Sequence, residues 1–158
     1  MIVVADTSPL LWLSRAGCLD VLRGLYGTVI VPRIVWEELV TARPCAPGVT
    51  SLTAADWIRI DERPFPTGAD LGLDPGETAA ILLAETIGAA VLLIDERAGR
   101  EAAVARGLHV RGTVGVLVVA RQRGLLGSVR AVIDEIRGQG FNVSQRPVDV
   151  ALSQSGER

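Results

Sequence analysis

The chain has 158 residues, 49% of them hydrophobic, and a formal net charge of −2 at pH 7. That length fits one domain with a real core, and the apolar content excludes a disordered chain. No apolar run reaches the roughly 18 residues of a helical membrane span, and the opening Met1–Asp6 stretch has no basic region before its first acid, so neither a membrane anchor nor a signal peptide is expected. A cytoplasmic location is therefore expected, with Cys18 and Cys45 as reduced, small hydrophobes outside any metal-binding spacing. There is no Lys; residues 1–95 carry 6 Arg against 12 acids, and residues 96–158 carry 10 Arg against 6 acids. Such a division lets one side of a molecule hold a polyanion while an acidic site on the other processes it.

Residues 2–6 read as a first strand ending at Asp6. Ser8 and Pro9 supply an N-cap and a first helical residue for a helix to about Ala16, stopped by Gly17. A short helix is expected over 19–25, a strand over 28–31, and a helix from Arg33 to about Thr41. Residues 43–50, with two Pro and a Gly, read as a loop; 57–60 alternate as an edge strand; 63–73, with Pro64, Pro66, Gly68 and Gly72, read as another loop. A helix opens at Asp74-Pro75-Gly76-Glu77 and runs to about Ile87. Val91 to Ile94 form a continuous apolar run entering Asp95, the mark of a strand buried on both faces of a parallel sheet. Further helices are expected over 97–106, from Gly112-Thr113 to about Arg123, over 127–137 and over 146–153, with a strand at 109–111 bearing His109, a structural residue. Strand and helix alternate throughout, which predicts an α/β fold: a three-layer α/β/α sandwich with a central, mainly parallel sheet. It forms one domain over 1–153, with 154–158 a frayed tail.

Asp6 and Asp95 both leave strands at the carboxyl edge, where open α/β sheets bind ligands, though either could serve as a helix N-cap. Glu77 stands three residues after Asp74, the spacing of a capping box, on a helix apolar nearly all round. Glu38 falls inside the arc defined by Ile34, Val35 and Leu39, where a carboxylate is costly unless paired with an Arg or bound to a metal; Glu37 falls outside it. Four carboxylates around one cleft repel one another, and a divalent cation removes that conflict. All-oxygen ligation suits Mg²⁺ or Mn²⁺ rather than Zn²⁺. Arg97 and Arg100, in the first turns after Asp95, are candidate phosphate contacts, or members of a solvated helix face. With aromatics at 4% of the chain, no stacking platform for bases is evident.

The segments Asp6-Thr7-Ser8-Pro9-Leu10, Val35-x-x-Glu38-Leu39, Asp74-x-Gly76-Glu77-x-Ala79-Ala80 and Leu93-Ile94-Asp95-Glu96 together resemble the PIN domain. The Gly112-Thr113-x-Gly115 region and the Gly140-Phe141 pair fit the same resemblance. The likeness is to the small, toxin-like prokaryotic branch that opens with Asp-Thr-Ser-Pro and is similar to VapC-type ribonuclease toxins. It implies a Mg²⁺- or Mn²⁺-dependent ribonuclease whose acids are Asp6, Glu38, Glu77 and Asp95, with Thr7 or Ser8 lending a hydroxyl beside the first. It also implies an RNA substrate, a homodimer and a cognate antitoxin. The chain departs from the common pattern in having Glu rather than Asp at position 77, and Glu96 where a further polar metal neighbour is usual.

Three other readings compete. A phosphatase of the haloacid dehalogenase type needs an Asp where Ser8 stands, and a Lys. A nucleotide-binding module needs a Gly-rich phosphate loop after the first strand. A non-catalytic PIN-like binding module does not need the complete acid set. The Leu and Val residues of the early helices are the expected dimer surface.

Overall fold

The computed structural model describes residues 1–64 and 70–158. Five strands, β1 (Val3–Ala5), β2 (Val29–Pro32), β3 (Ile58–Asp61), β4 (Val91–Leu93) and β5 (Val110–Arg111), form one sheet in the order β3-β2-β1-β4-β5. All four pairings are parallel. Among the described residues the helices are α1 (Thr7–Arg15), α2 (Val21–Tyr26), α3 (Arg33–Trp36) continuing into a π turn (Glu37–Thr41), α4 (Val49–Ala54), α5 (Pro75–Ile87), α6 (Arg97–Ala105), α7 (Thr113–Gln122), α8 (Val129–Gly138) and α9 (Gln145–Gln154). None is long and apolar enough to cross a membrane.

The central strands show why their sequences are apolar without interruption. Val3, Ala5 and Leu93 belong to the core cluster that also takes in α1, α2, α7, α8 and α9, whereas Val4, Leu92 and Ile94 belong to the cluster under α5 and α6. Successive side chains point to opposite faces, and here both faces are covered, so every position must be apolar. The result is the expected α/β/α sandwich. β3 is an edge strand, as its alternating sequence predicts, and β1 is central. The chain moves from β1 to β2 to β3 on one side, then returns to lay β4 on the other side of β1. The reversal leaves a crevice at the carboxyl ends of β1 and β4, where such sheets bind ligands.

Three local expectations are corrected. The 43–50 loop ends early, because Val49–Ala54 form α4, whose Val49 and Leu52 are buried; packing of two apolar residues outweighs a composition that reads as loop. The expected frayed tail is held: Glu157 accepts hydrogen bonds from Ser128 Oγ at 2.6 Å and from the Val129 N–H at 2.7 Å, at the start of α8. A carboxylate there satisfies free amide donors and faces the positive end of the helix. Glu157→Ala is therefore expected to cost about 1 kcal/mol, the scale of a lost cap, read as a lower denaturation midpoint with unchanged slope. Most Leu and Val residues of the early helices are core rather than surface: Leu10, Leu13, Leu19, Val21, Leu22 and Leu25 are buried, and Leu11 is half-buried. The loop expected over 63–73 lies partly outside the described residues.

The cysteines are free, but only Cys18 is half-buried; Cys45 is exposed and so is not a small core hydrophobe. Burial pushes the Cys18 thiol up to about 11, which leaves it a poor nucleophile. His109 is exposed and precedes β5; only its backbone takes part in the sheet, accepting the Leu92 N–H at 2.8 Å.

Candidate active site

Pairing of β1 with β4 sets Val3 beside Val91, Val4 beside Leu92 and Ala5 beside Leu93, and the Asp6 N–H donates to the Leu93 carbonyl at 2.9 Å. Asp6 therefore stands level with Ile94, and Asp95 lies one residue further along. Because side chains alternate, this single-residue offset turns the two acids to opposite faces of the crevice. Asp6 turns toward α5, and Asp95 toward α7.

Asp6 is only 4% exposed. It occupies the N-cap position of α1 but its side chain makes no cap hydrogen bond, so its carboxylate is not explained by capping. Burial, above all, pushes its pKa up to about 7, with Asp74, Glu77 and Glu38 adding to the rise and the Thr7 amide opposing it. The three neighbours come from two helices. Glu77, 6% exposed, is held by the start of α5, where Asp74 as N-cap accepts the Glu77 N–H at 2.8 Å. The local capping reading of Asp74 and Glu77 is thus correct, and the same cap delivers Glu77 to the cleft. Burial raises the Glu77 pKa, followed by the charges of Asp74 and Glu96.

Glu38 is reached differently. The helix from Arg33 widens into a π turn, with the Ala42 N–H bonding to the Glu37 carbonyl five residues back. Glu38, at the start of this turn, is an exposed residue taken as a whole. π turns recur at functional sites. Its carboxylate end nevertheless enters the cleft. Oε2 accepts the Thr7 hydroxyl at 3.1 Å, and a Cβ placed on Gly76 would stand 3.1 Å from the same oxygen. Desolvation raises its pKa against the help of Thr7, and Asp74 raises it further. Glu37 is exposed, as expected.

Asp95 has other partners. Oδ1 accepts the Thr113 N–H at 2.6 Å and Oδ2 accepts the Thr113 hydroxyl at 2.7 Å. Thr113 is fully buried and opens α7, so Asp95 is clamped from the neighbouring helix rather than capping its own. Burial raises its pKa, which the Thr113 bonds and the nearby Arg100 charge oppose. Glu96 links the two halves of the crevice, since its charge acts on both Glu77 and Asp95.

The four sequence-predicted acids thus fall into two groups: Asp6, Glu38 and Glu77, joined by Asp74, and Asp95 with Glu96. Among the described residues no three of these side chains converge into a ready-made metal shell. The donor set still fits a hard cation. It is all oxygen, it carries uncompensated charge, and each Asp95 oxygen has a lone pair left beyond its Thr113 bond. Mg²⁺ favours such loose sites, keeping several waters and using one or two carboxylates with substrate phosphate.

Of the other expected residues, Thr7 orients Glu38, while Ser8 lines a cleft with Asp95 and Arg100. Arg97 is 92% exposed and paired with Glu101 at 2.9 Å, which fits a solvated helix face. Arg100 lies beside Asp95: a Cβ on Gly112 would come within 2.8 Å of Asp95 Oδ1 and 3.3 Å of an Arg100 terminal nitrogen. Gly112→Ala is accordingly expected to displace Asp95 and lower any metal-dependent activity by about 10–100-fold, as loss of an orienting partner does, measured beside a thermal melt that shows the fold retained. Sequence reasoning missed Asp74, Gly112 and Thr113. The Asp74 cap three residues before a site acid was a usable signal; nothing local ties Thr113 to an Asp eighteen residues away.

A family model described as a PIN domain matches residues 2–157. No curated protein and no solved structure matches the chain. The match spans nearly the whole length and agrees with the parallel sheet flanked by helices: the chain belongs to the PIN domain family.

Proposed function

We propose that this nuclease-like module is a Mg²⁺- or Mn²⁺-dependent ribonuclease that hydrolyses RNA phosphodiesters, and that it acts as the toxin of a type II toxin–antitoxin pair. The observation that carries the nuclease reading is the crowding of Asp6, Glu38, Glu77 and Asp74, with an Asp6 pKa of about 7. Burying uncompensated carboxylates together is costly, and a bound cation offsets that cost. Asp6, Glu38, Glu77 and Asp95 would hold the cation. When bound, it supplies Lewis-acid activation of water and of the phosphoryl oxygens.

The chain's own residues do the remainder. Thr7 fixes the direction of Glu38, Thr113 fixes Asp95, and Arg100 is placed to accept a phosphate beside Asp95, which positions RNA without reading its sequence. Asp6 must lose its proton for the cation to enter, so metal affinity should climb as pH rises through about 7. Attack by water leaves 5′-phosphate and 3′-hydroxyl ends; 2′,3′-cyclic phosphate ends would exclude it.

The test is cleavage of a structured-RNA pool with Mg²⁺, with Mn²⁺ and with chelator. Cutting that requires the metal supports the proposal, and metal-independent cutting or none overturns it. The toxin role predicts growth arrest on expression, relieved by the product of an adjacent reading frame. Homodimerisation and a cytoplasmic site of action belong to the same proposal, and light scattering tests the first.

A further inference from the structure

Aromatic residues are few, and three of those among the described residues are engaged elsewhere. Trp57 is in the core and Trp36 packs against it, while the Tyr26 hydroxyl accepts an Arg111 N–H at 2.8 Å. Trp12 is different. It lies half-buried on α1 and meets Phe141 edge-to-face, with ring centroids 5.4 Å apart and planes at 65°. The Arg15 guanidinium lies over the Trp12 ring at 5.4 Å, which holds the indole by cation–π attraction. Phe141 comes from the segment after α8, anchored by its N–H on the Ile136 carbonyl at 2.9 Å. Two distant parts of the chain thus build one aromatic pair at a surface.

That pair lines a cleft of about 760 Å³ together with Ser8, Asp95, Arg100 and Asn142. The volume is that of a small-ligand site. Arg100 makes no side-chain hydrogen bond or ion pair among the described residues, unlike Arg97 and Arg111. The cleft therefore brings a site acid, a guanidinium free of side-chain partners and an aromatic pair to one surface. Single-strand binding proteins combine the same two elements, cationic groups along the backbone and aromatic faces for bases.

We propose that the Trp12–Phe141 wall is a subsite for one unstacked nucleobase of single-stranded RNA, whose adjoining phosphate is held by Arg100 beside Asp95. The inference rests on the nuclease reading and adds how a strand is held: a base in a single strand or loop reaches the cleft without the unstacking and unpairing cost that a duplex base must meet.

The test uses an Asp6→Asn protein, disabled for cleavage, and a short single-stranded RNA carrying one abasic nucleotide at each position in turn. Stacking on an aromatic is lost at one position only, so one abasic substitution should weaken binding roughly tenfold. That loss should disappear when Trp12→Leu or Phe141→Leu is added, and should persist with Trp12→Tyr. The Phe141 and Tyr variants keep the experiment decisive if Trp12→Leu does not fold. No sensitive position, or a sensitive position unchanged by these variants, overturns the inference while wild-type cleavage stands. Failure of wild type to cleave RNA in any metal overturns the reading beneath it instead.

Discussion

Asp95→Asn is expected to lower metal-dependent cleavage on the order of a thousandfold, about 4 kcal/mol of transition-state stabilisation, with little change in the fold. The geometry separates the two effects. Asn is nearly isosteric, its remaining oxygen can still accept the Thr113 N–H, and its amide can donate to the Thr113 hydroxyl, which now acts as acceptor. What disappears is the negative charge offered to a cation and to the reacting phosphate. Parallel melts and cleavage assays check this. Retained cleavage by a folded Asp95→Asn protein would remove Asp95 from the machinery.

Asp6→Asn should abolish cleavage as well, but it is expected to stabilise the metal-free protein. The Asp6 pKa is about 7 in the fold against an ordinary value of 3.8, so the folded state disfavours the ionised form. Below the unfolded value both states are protonated, and Asp6 exacts no penalty. As pH rises from about 4 to 7 the unfolded chain ionises first, and stability falls; above the folded value the loss is complete. At 1.36 kcal/mol per unit it amounts to about 4 kcal/mol, roughly 8–16 °C in Tm for a chain of this size. The gain from Asp6→Asn should therefore be large at pH 8 and absent near pH 4. Mg²⁺ should raise the wild-type Tm at pH 8 by binding the native state, and raise that of Asp6→Asn much less. Such a trade of stability for a charged site is common where function needs it. A wild-type Tm at pH 8 equal to that of Asp6→Asn in chelator would show that the Asp6 charge is already compensated within the protein.

The strands and their order of burial were legible because a parallel sheet buried on both faces demands continuous apolar runs, and Val3–Ala5 and Val91–Leu93 comply. α4 was not legible, since Val49 and Leu52 gain their helical conformation from what they pack against. Glu38 was legible from the apolar arc of its helix, whereas its partner Thr7 lies 31 residues away and only the fold brings the two together. The tail was misread because its anchor, Glu157 on the start of α8, links residues far apart in sequence.

The amino-acid sequence by itself determined the α/β class, the acids at two strand exits, and the cap that carries Glu77, because each follows from a local period or a spacing of three. Only the tertiary structure decided how those acids divide. Neighbouring strands are set by a one-residue register, alternation sends Asp6 and Asp95 to opposite faces of the crevice, and Thr113, Gly112, Trp12 and Phe141 reach the site from α1, α7 and the segment after α8. Contacts between elements depend on register and packing, and no local pattern encodes those.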